Sequence, residues 1–343
     1  MFKTAIVILN WNGLEYLKQF LGTTVMLSDE TYATVFIADN CSTDGSVEWV
    51  EANFKQVKTI RLDRNYGFAG GYNLALEQID ATYFLLLNSD IEVTTGWLKP
   101  MTEFMDTTPC AASCQPKILS YHNRRRFEHA GAAGGYIDRF GYPFCRGRIL
   151  HTTETDIGQY DNVAEIFWSS GACMMIRAEA WKRTGGFDPS FFAHMEEIDL
   201  CWRLGKLGYR AYCIPQSAVY HVGGGSLPYS SPFKTYLNYR NSLFMLYKNL
   251  PGGKLKQIIL ARKILDGMSA LRFLAKFELA NFMAVIKAHT SCRRIRKTLI
   301  ENRSCTSLSE ETAMPAIFNK SIIFEYYLKR RITFDSLKWK HEC

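Results

Sequence analysis

Long apolar runs are missing from this 343-residue chain. No stretch reaches the ~18 uninterrupted apolar residues of a membrane-crossing helix, so none is expected. A cleavage-site pattern is missing from the opening Met1 to Asn10, where one Lys leads straight into a strand-length apolar run, so no secretory signal is expected either. The ten cysteines contain no CxxC pair, and Cys173, Cys201 and Cys213 sit inside apolar runs. That pattern fits reduced, cytosolic thiols better than a disulfide framework. Internal repeats and low-complexity tracts are also lacking, and the composition is neither disordered nor fibrous.

What is present is an apolar fraction of 47% with 14% aromatics, enough for a sizeable packed core. The net charge of +8 is uneven: residues 251–343 hold 18 basic and 8 acidic side chains, so the positive charge belongs to the tail. The N-terminal part alternates strand-like and helix-like segments. Strands are expected over Thr4 to Leu9, Thr34 to Ala38, Val57 to Leu62 and Tyr83 to Leu87, with helices over Leu14 to Leu27, Ser46 to Asn53 and Ala69 to Gln78. This predicts an α/β fold with a mainly parallel sheet flanked by helices. Each strand ends in polar residues: Asn10-Trp11-Asn12-Gly13, Asp39-Asn40-Cys41-Ser42, Asp63-Arg64-Asn65 and Asn88-Ser89-Asp90. Together they form one polar rim, the usual ligand position of an open α/β sheet. From Gln115 to Ile166 the pattern weakens into loops or short antiparallel strands, then resumes with a strand over Ile166 to Ile176, a short helix over Ala178 to Arg183 and a helix over Ile198 to Leu207. The chain divides into residues 1–250 and a basic helical region, 251–343.

Several residues carry chemistry. Asp39 either accepts hydrogen bonds from a nucleobase or ribose, or caps the next helix, a role that Asp44 fits better. Asn65 to Asn73 places Gly67, Gly70 and Gly71 at a helix start, where backbone amides can approach a phosphate; the Lys and Ser/Thr of a Walker A loop are missing. Asp90 can hold a divalent cation together with diphosphate oxygens, or be a solvated loop acid. Glu196, Glu197 and Asp199 open an amphipathic helix, where Asp199 and Arg203 have the i,i+4 spacing of an ion pair. Adjacent Glu196 and Glu197 point different ways, so one can be anchored while the other faces a cleft. His221, ahead of the Gly-rich Val222 to Ser226, is either structural or a ligand completing a metal site.

Taken together, ILNWNG (Ile8 to Gly13), DNCSTDGS (Asp39 to Ser46), NYGFAGGYN (Asn65 to Asn73), LLLNSD (Leu85 to Asp90), SGACMMIR (Ser170 to Arg177), GGFDPSFFAHMEEIDLCWR (Gly185 to Arg203) and HVGGGS (His221 to Ser226) resemble the family 2 inverting glycosyltransferases of GT-A fold, in the family's order. The look is nearest the rhamnosyltransferase-type branch of bacterial surface-polysaccharide assembly. The resemblance implies a Rossmann-like GT-A catalytic domain with a C-terminal helical appendage, moving a sugar from a dTDP- or UDP-sugar, dTDP-rhamnose among the candidates, to a hydroxyl of a glycan or lipid-linked acceptor. It implies a base-binding role for Asp39 with the backbone near Asn10, a metal site for Mg²⁺ or Mn²⁺ at Asp90 and His221, and Glu197 as catalytic base with Glu196 as its rival. Asn88 stands where the family's metal element carries a further carboxylate, so the cation rests more on the donor diphosphate. That departure does not abolish the mechanism, and it is the best support for the alternative, a catalytically inactive sugar-nucleotide-binding or regulatory module. In the tail, Lys254, Lys256, Arg262, Lys263, Arg272 and Lys276 interleave with apolar residues such as Leu260, Ile264 and Leu271. This reads either as an appendage packed on the catalytic domain or as peripheral contact with an anionic membrane, at the inner face of the cytoplasmic membrane. No nucleic-acid-binding motif is recognised there, and no nucleic-acid partner is expected.

Overall fold

A computed structural model describes residues 2–28, 33–223, 231–301 and 317–339. The N-terminal alternation folds as expected: β1 (Phe2–Asn10), α1 (Leu14–Met26), β2 (Ala33–Asp39), α2 (Ser46–Asn53), β3 (Lys58–Arg61), α3 (Gly67–Leu76) and β4 (Ala81–Leu87). Next come β5 (Ile91–Val93), α4 (Leu98–Thr107) and β6 (Ala111–Ser120), then the short strands β7 (Gly135–Ile137), β8 (Pro143–Cys145), β9 (Arg148–Ile149) and β10 (Thr152–Thr153). The chain continues with β11 (Ala164–Ile166), β12 (Cys173–Arg177), α5 (Ala178–Thr184), α6 (Glu196–Lys206) and β13 (Arg210–His221). Helices α7 (Pro232–Asn249), α8 (Gly252–Ala275), α9 (Leu279–Glu301) and α10 (Ile322–Tyr327) complete it.

The central sheet has nine strands in the order β11-β13-β6-β12-β4-β1-β2-β3, with β5 paired to β13. Strands β1 to β4 run parallel to one another, as do β6 and β13, while β12 is antiparallel to both β4 and β6. Six strands therefore end on one edge, which is the predicted polar rim. Alternation along β1 explains why both faces are covered: Ala5 and Val7 enter one core cluster with Tyr72 and Phe84, while Ile6 and Ile8 enter the other with Leu17 and Val35. Between Ile214 and Ala218 the pairing of β13 with β6 shifts register around Pro215. The irregularity precedes the rim end of β13, bringing His221 opposite both Ile91 and Ser120.

Two expectations change. The first part of the irregular Gln115 to Ile166 region is a full central strand, β6, which its mixed composition and Pro116 conceal; the four-stranded antiparallel sheet of β7 to β10 follows. The single strand expected over Ile166 to Ile176 is two, because the chain leaves the sheet after β11 to meet β7. Phe167 N donates to Gly135 O at 2.9 Å and Gly135 N to Trp168 O at 3.2 Å, in a contact so close that a Cβ on Gly135 would lie 2.0 Å from the Trp168 ring.

The described residues 251–301 and 317–339 share the main core rather than hang from it. Leu255, Ile259, Cys292 and Leu299 join the cluster below the sheet, and Phe318, Phe334 and Trp339 pack on Tyr136 and Phe144 of the small sheet. Among the described residues no helix is long and apolar enough to cross a membrane, and the eight described cysteines are free thiols.

The expected Asp199–Arg203 pair is part of a buried network. Asp199 is fully buried and accepts from Arg203 Nε at 2.8 Å, Lys248 Nζ at 3.0 Å and Asn249 Nδ2 at 2.7 Å, while Lys248 also reaches Asp188 at 2.6 Å. Burial pushes the Asp199 carboxyl up, but Arg203 and Lys248 hold it below the usual carboxylate range. Its contribution to stability is therefore complete above the unfolded value of about 3.9 and is lost as pH falls through the folded value. Asp199→Ala leaves Arg203 buried without its carboxylate and Lys248 with Asp188 alone, and should cost about 3–5 kcal/mol in urea unfolding at neutral pH, with a shallower acid limb than the parent protein.

Candidate functional site

At the rim, the ends of β1 and β2 are tied together. Asn10 is fully buried, and its Nδ2 lies 3.1 Å from Asp39 Oδ1, 3.0 Å from Ser42 Oγ and 2.8 Å from Ser46 Oγ; Asp39 Oδ2 accepts from Ser42 N at 2.9 Å. The remaining atom, Asn10 Oδ1, is buried without a partner, and a Cβ on Gly13 would fill the space 2.6 Å from it. Buried acceptors are seldom left unpaired, so this one invites a donor from outside. Asp44 does the capping: Oδ1 accepts from Ser46 N at 3.1 Å and Oδ2 from Leu14 N at 2.9 Å. Although burial raises its pKa, these bonds hold its carboxyl below the usual range.

The glycine-rich helix start is occupied by protein. Asn40 donates to Asn65 Oδ1 and Gly67 O, each at 3.0 Å, and Asn65 Oδ1 also takes Gly67 N at 2.8 Å. The amides of Phe68 and Ala69 donate to Phe192 O at 2.7 and 3.2 Å. The amides expected to meet a phosphate are thus turned to a carbonyl of the acidic segment. Gly70 and Gly71 serve close packing: a Cβ on Gly71 would stand 2.8 Å from Leu9, and one on Gly70 3.0 Å from Tyr66. That is the visible reason for glycine at both positions.

The segment before α6 is strained. Phe192, His194 and Met195 all have positive φ, at 65°, 70° and 73°. Such backbone costs on the order of 1–3 kcal/mol per residue and persists only where the surroundings impose it. The clamp is α7. Asn241, fully buried, donates from Nδ2 toward Phe191 O (2.9 Å), Ala193 O and His194 O (both 2.8 Å), and Arg240 reaches Ser190 O at 3.0 Å and Phe191 O at 2.9 Å. The strained turn delivers the two acids. Glu196 is buried with Oε2 unpaired, and desolvation with repulsion from Glu197 pushes its carboxyl well above the usual range. Glu197 is half-buried, also with an unpaired Oε2; burial raises it to about 7, opposed by backbone amides at the helix start. Burial disfavours the charge of both acids, and Glu197 is the one placed to titrate near neutrality.

At the other side of the rim, β5 pairs with β13 so that Asp90 and His221 meet. His221 Nε2 is 3.2 Å from Asp90 Oδ1, and its Nδ1 is 3.3 Å from Glu128 Oε2 without hydrogen-bond alignment. Both flanking carboxylates are buried, and against the desolvation that opposes it they raise the imidazole to about 10. Asn88 and Ser89 precede Asp90 half-buried, while Gly224, Gly225 and Ser226 lie outside the described residues. Two ligands on adjacent vertices of an octahedral cation with bonds of about 2.1 Å lie ~3 Å apart, so Asp90 Oδ1 and His221 Nε2 fit such a pair. Glu128 behind the imidazole is the carboxylate that commonly orients a metal-bound histidine. Among the described residues no group of three His, Cys, Asp or Glu side chains is placed to hold a metal ion.

Residues 5–183, more than half of the chain, match glycosyl transferase family 2. The chain belongs to that family. This glycosyltransferase is 26% identical over 231 residues to the N-acetylglucosaminyl-diphospho-decaprenol L-rhamnosyltransferase of Mycobacterium tuberculosis, a match spanning 63% of this chain and 75% of that protein. It is 22% identical over 238 residues to the rhamnosyltransferase WbbL of Escherichia coli K12, covering 63% and 82%. Among solved structures, GalNAc-T7 with UDP, GalNAc and Mn²⁺ superposes with a TM-score of 0.56 at 15% identity, over 72% of this chain and 48% of that one. The mannosyltransferase PcManGT of Pyrobaculum calidifontis with GDP-Man and Mn²⁺ gives 0.51 at 14% identity, over 90% and 81%. These neighbours place the fold in the GT-A class.

Sequence reading missed Glu128, Arg240 and Asn241. Glu128 lies in the irregular region, and the Asn241 contacts span about fifty residues of sequence, which no local periodicity reveals. Asn241→Ala removes the common donor of three carbonyls. We expect it to lower stability by about 1–3 kcal/mol in thermal unfolding and, if Glu197 is the base as the family resemblance implies, turnover by about 10²-fold.

Proposed function

We propose that this glycosyltransferase is an inverting enzyme that moves a sugar from a dTDP- or UDP-sugar, dTDP-rhamnose first among them, to a hydroxyl of a lipid-linked saccharide in cell-surface polysaccharide synthesis. The two curated relatives are named as rhamnosyltransferases, and one carries a diphospho-decaprenol saccharide in its name. The observation that carries the chemistry is the division between the paired acids: Glu197, half-buried with an unpaired oxygen and raised to about 7, against Glu196, buried and pushed well above the usual carboxylate range. Glu197 is then the base and Glu196 its buried neighbour.

In this reading Asp39 and Asn10 receive the nucleobase, with the unpaired Asn10 Oδ1 available to a donor. The Glu197 carboxylate takes the proton of the acceptor hydroxyl as its oxygen bonds to the anomeric carbon. The bond from that carbon to the diphosphate oxygen breaks from the opposite face, which inverts the configuration and releases the nucleoside diphosphate. Asp90 and His221 would hold a divalent cation, Mg²⁺ or Mn²⁺, whose Lewis acidity offsets the charge gathering on the leaving diphosphate. Asn88 adds a neutral amide beside it. Both solved neighbours described above contain Mn²⁺.

The test is nucleoside diphosphate release from a panel of UDP- and dTDP-sugars with Mg²⁺ or Mn²⁺ and a lipid-linked acceptor. Glu197→Gln should lower kcat by about 10²–10⁴-fold with donor binding and thermal stability retained. Because the base must be deprotonated, kcat of the parent should rise with pH through about 7, and that limb should vanish in the variant; an unchanged rate overturns the assignment. Glu128→Gln leaves Asp90 and His221 in place but loosens the imidazole, so the cation concentration for half-maximal activity should rise about 10–100-fold in a metal titration.

A further inference from the structure

Helix α8 is apolar on two sides: it buries Leu255, Ile259 and Ala270 against the protein, and its outer side is apolar as well. Its inner face buries Arg262 and Asp266, 1% and 0% exposed, with Arg262 Nε 3.3 Å from Asp266 Oδ1 and the guanidinium 4.0 Å from the Tyr142 ring centroid. Arg262 also donates to Ser242 Oγ at 2.7 Å and Phe140 O at 3.1 Å, and Asp266 accepts from Tyr142 Oη at 2.6 Å. The outer face carries Leu260, Ile264, Met268 and Leu271, spaced i, i+4, i+8, i+11 and 62%, 59%, 62% and 63% exposed. The row continues past Phe277, 90% exposed at the α8–α9 turn with φ 60°, to Leu279 and Met283 on α9. Scattered apolar residues on a surface need no explanation, but a continuous row opposite a buried ion pair does.

Cations flank this row on both sides. By helical spacing Lys256 and Lys263 lie along one edge of the α8 face and Lys254 and Arg272 along the other, all exposed. Between α7, α8 and α9 a cavity of about 570 Å³ repeats the chemistry, with Leu243 and Val285 on its wall and Lys263, Arg293 and Arg296 around it. A second copy of the chain would bring these cations against their own images. A surface of anionic lipids offers hydrocarbon to the row and counter-charge to its rims.

We infer that the outer face of the α8–α9 hairpin docks this glycosyltransferase on an anionic membrane. The inner ion-pair network sets the rotation of α8, so the apolar row points away from the catalytic domain and needs no rearrangement to meet lipid. The inference goes beyond the proposed reaction and uses none of its residues.

The test is co-sedimentation of the full chain with vesicles of phosphatidylglycerol and phosphatidylethanolamine, against phosphatidylcholine vesicles, at low and high salt. The parent should pellet with the anionic vesicles, less at high salt. Ile264→Glu with Leu271→Glu should lower the partition coefficient about tenfold or more, while circular dichroism and transfer to a water-soluble acceptor analogue stay unchanged. Lys256→Gln with Lys263→Gln should reduce the preference for anionic lipid and leave the apolar row intact. Equal partitioning of parent and Ile264→Glu/Leu271→Glu, or no pelleting of the parent, overturns the inference. So does a dimer in light scattering that the same variant dissociates, which would give the face to a second copy. Pelleting without transfer in the donor panel would leave this face standing and refute the reaction instead.

Discussion

The carbonyl of Phe192 is the point on which the two halves of the site depend. It accepts the first amides of α3, whose other end of contact is the rim of β1 and β2, and it belongs to the left-handed turn that starts α6 with its paired acids. A helix N-terminus left open would hold orphan donors. Filling it with a protein carbonyl satisfies α3 and fixes where the acid segment sits. Gly67, itself at φ 71°, makes this possible, because a Cβ there would lie 2.7 Å from that same oxygen. The strain of the turn is offset from the far side by Asn241, so no single element determines the placement of Glu197.

Buried charge recurs as the means of orientation in this molecule. Asp199 joins α6 to α7 through Lys248 and Asn249, and Asp266 joins α8 to the Tyr142 loop, to α7 by way of Arg262 and to α9 through His289 at 3.0 Å. Apolar packing tolerates sliding and rotation, whereas a hydrogen-bonded ion pair has few satisfied geometries. Buried pairs of this kind contribute little net stability but are severe to break. In the C-terminal helices the consequence is directional: α8 docks by a face that mixes Leu255 and Ile259 with Arg262 and Asp266, and leaves Leu260, Ile264, Met268 and Leu271 outward.

The N-terminal half was legible because its strands and helices are local. Ala5 to Ile8 reads as a doubly buried parallel strand, Asn10, Asp39 and Asp90 fall at strand ends by position alone, and Asp199 with Arg203 follows from helix spacing. The departures have one cause, contacts distant in sequence. β6 hides in a mixed run because its partner β13 lies about a hundred residues on, and the Gly135–Trp168 contact breaks a segment that reads as one strand. The glycines near Gly70 look like a phosphate loop until Phe192, far along the chain, takes the amides. Glu128 carries no local signal and acquires meaning only from the imidazole it faces. The basic tail gave its charge from composition, but which face of α8 looks outward depended on the unexpected burial of Arg262.

The paired acids show how one residue of displacement along a helix start separates two protonation behaviours. Glu196 points inward, where desolvation and the neighbouring carboxylate both disfavour its charge. Glu197 meets the same desolvation, but backbone amides at the positive end of α6 oppose it, leaving its pKa near neutrality. Two ionised carboxylates in adjacent positions would repel one another, so the upward push on Glu196 favours the charge falling on Glu197. A shorter or more exposed partner at position 196 would stay charged and push the Glu197 carboxyl higher still. The pair therefore works as a unit, with burial of the first acid setting the basicity of the second.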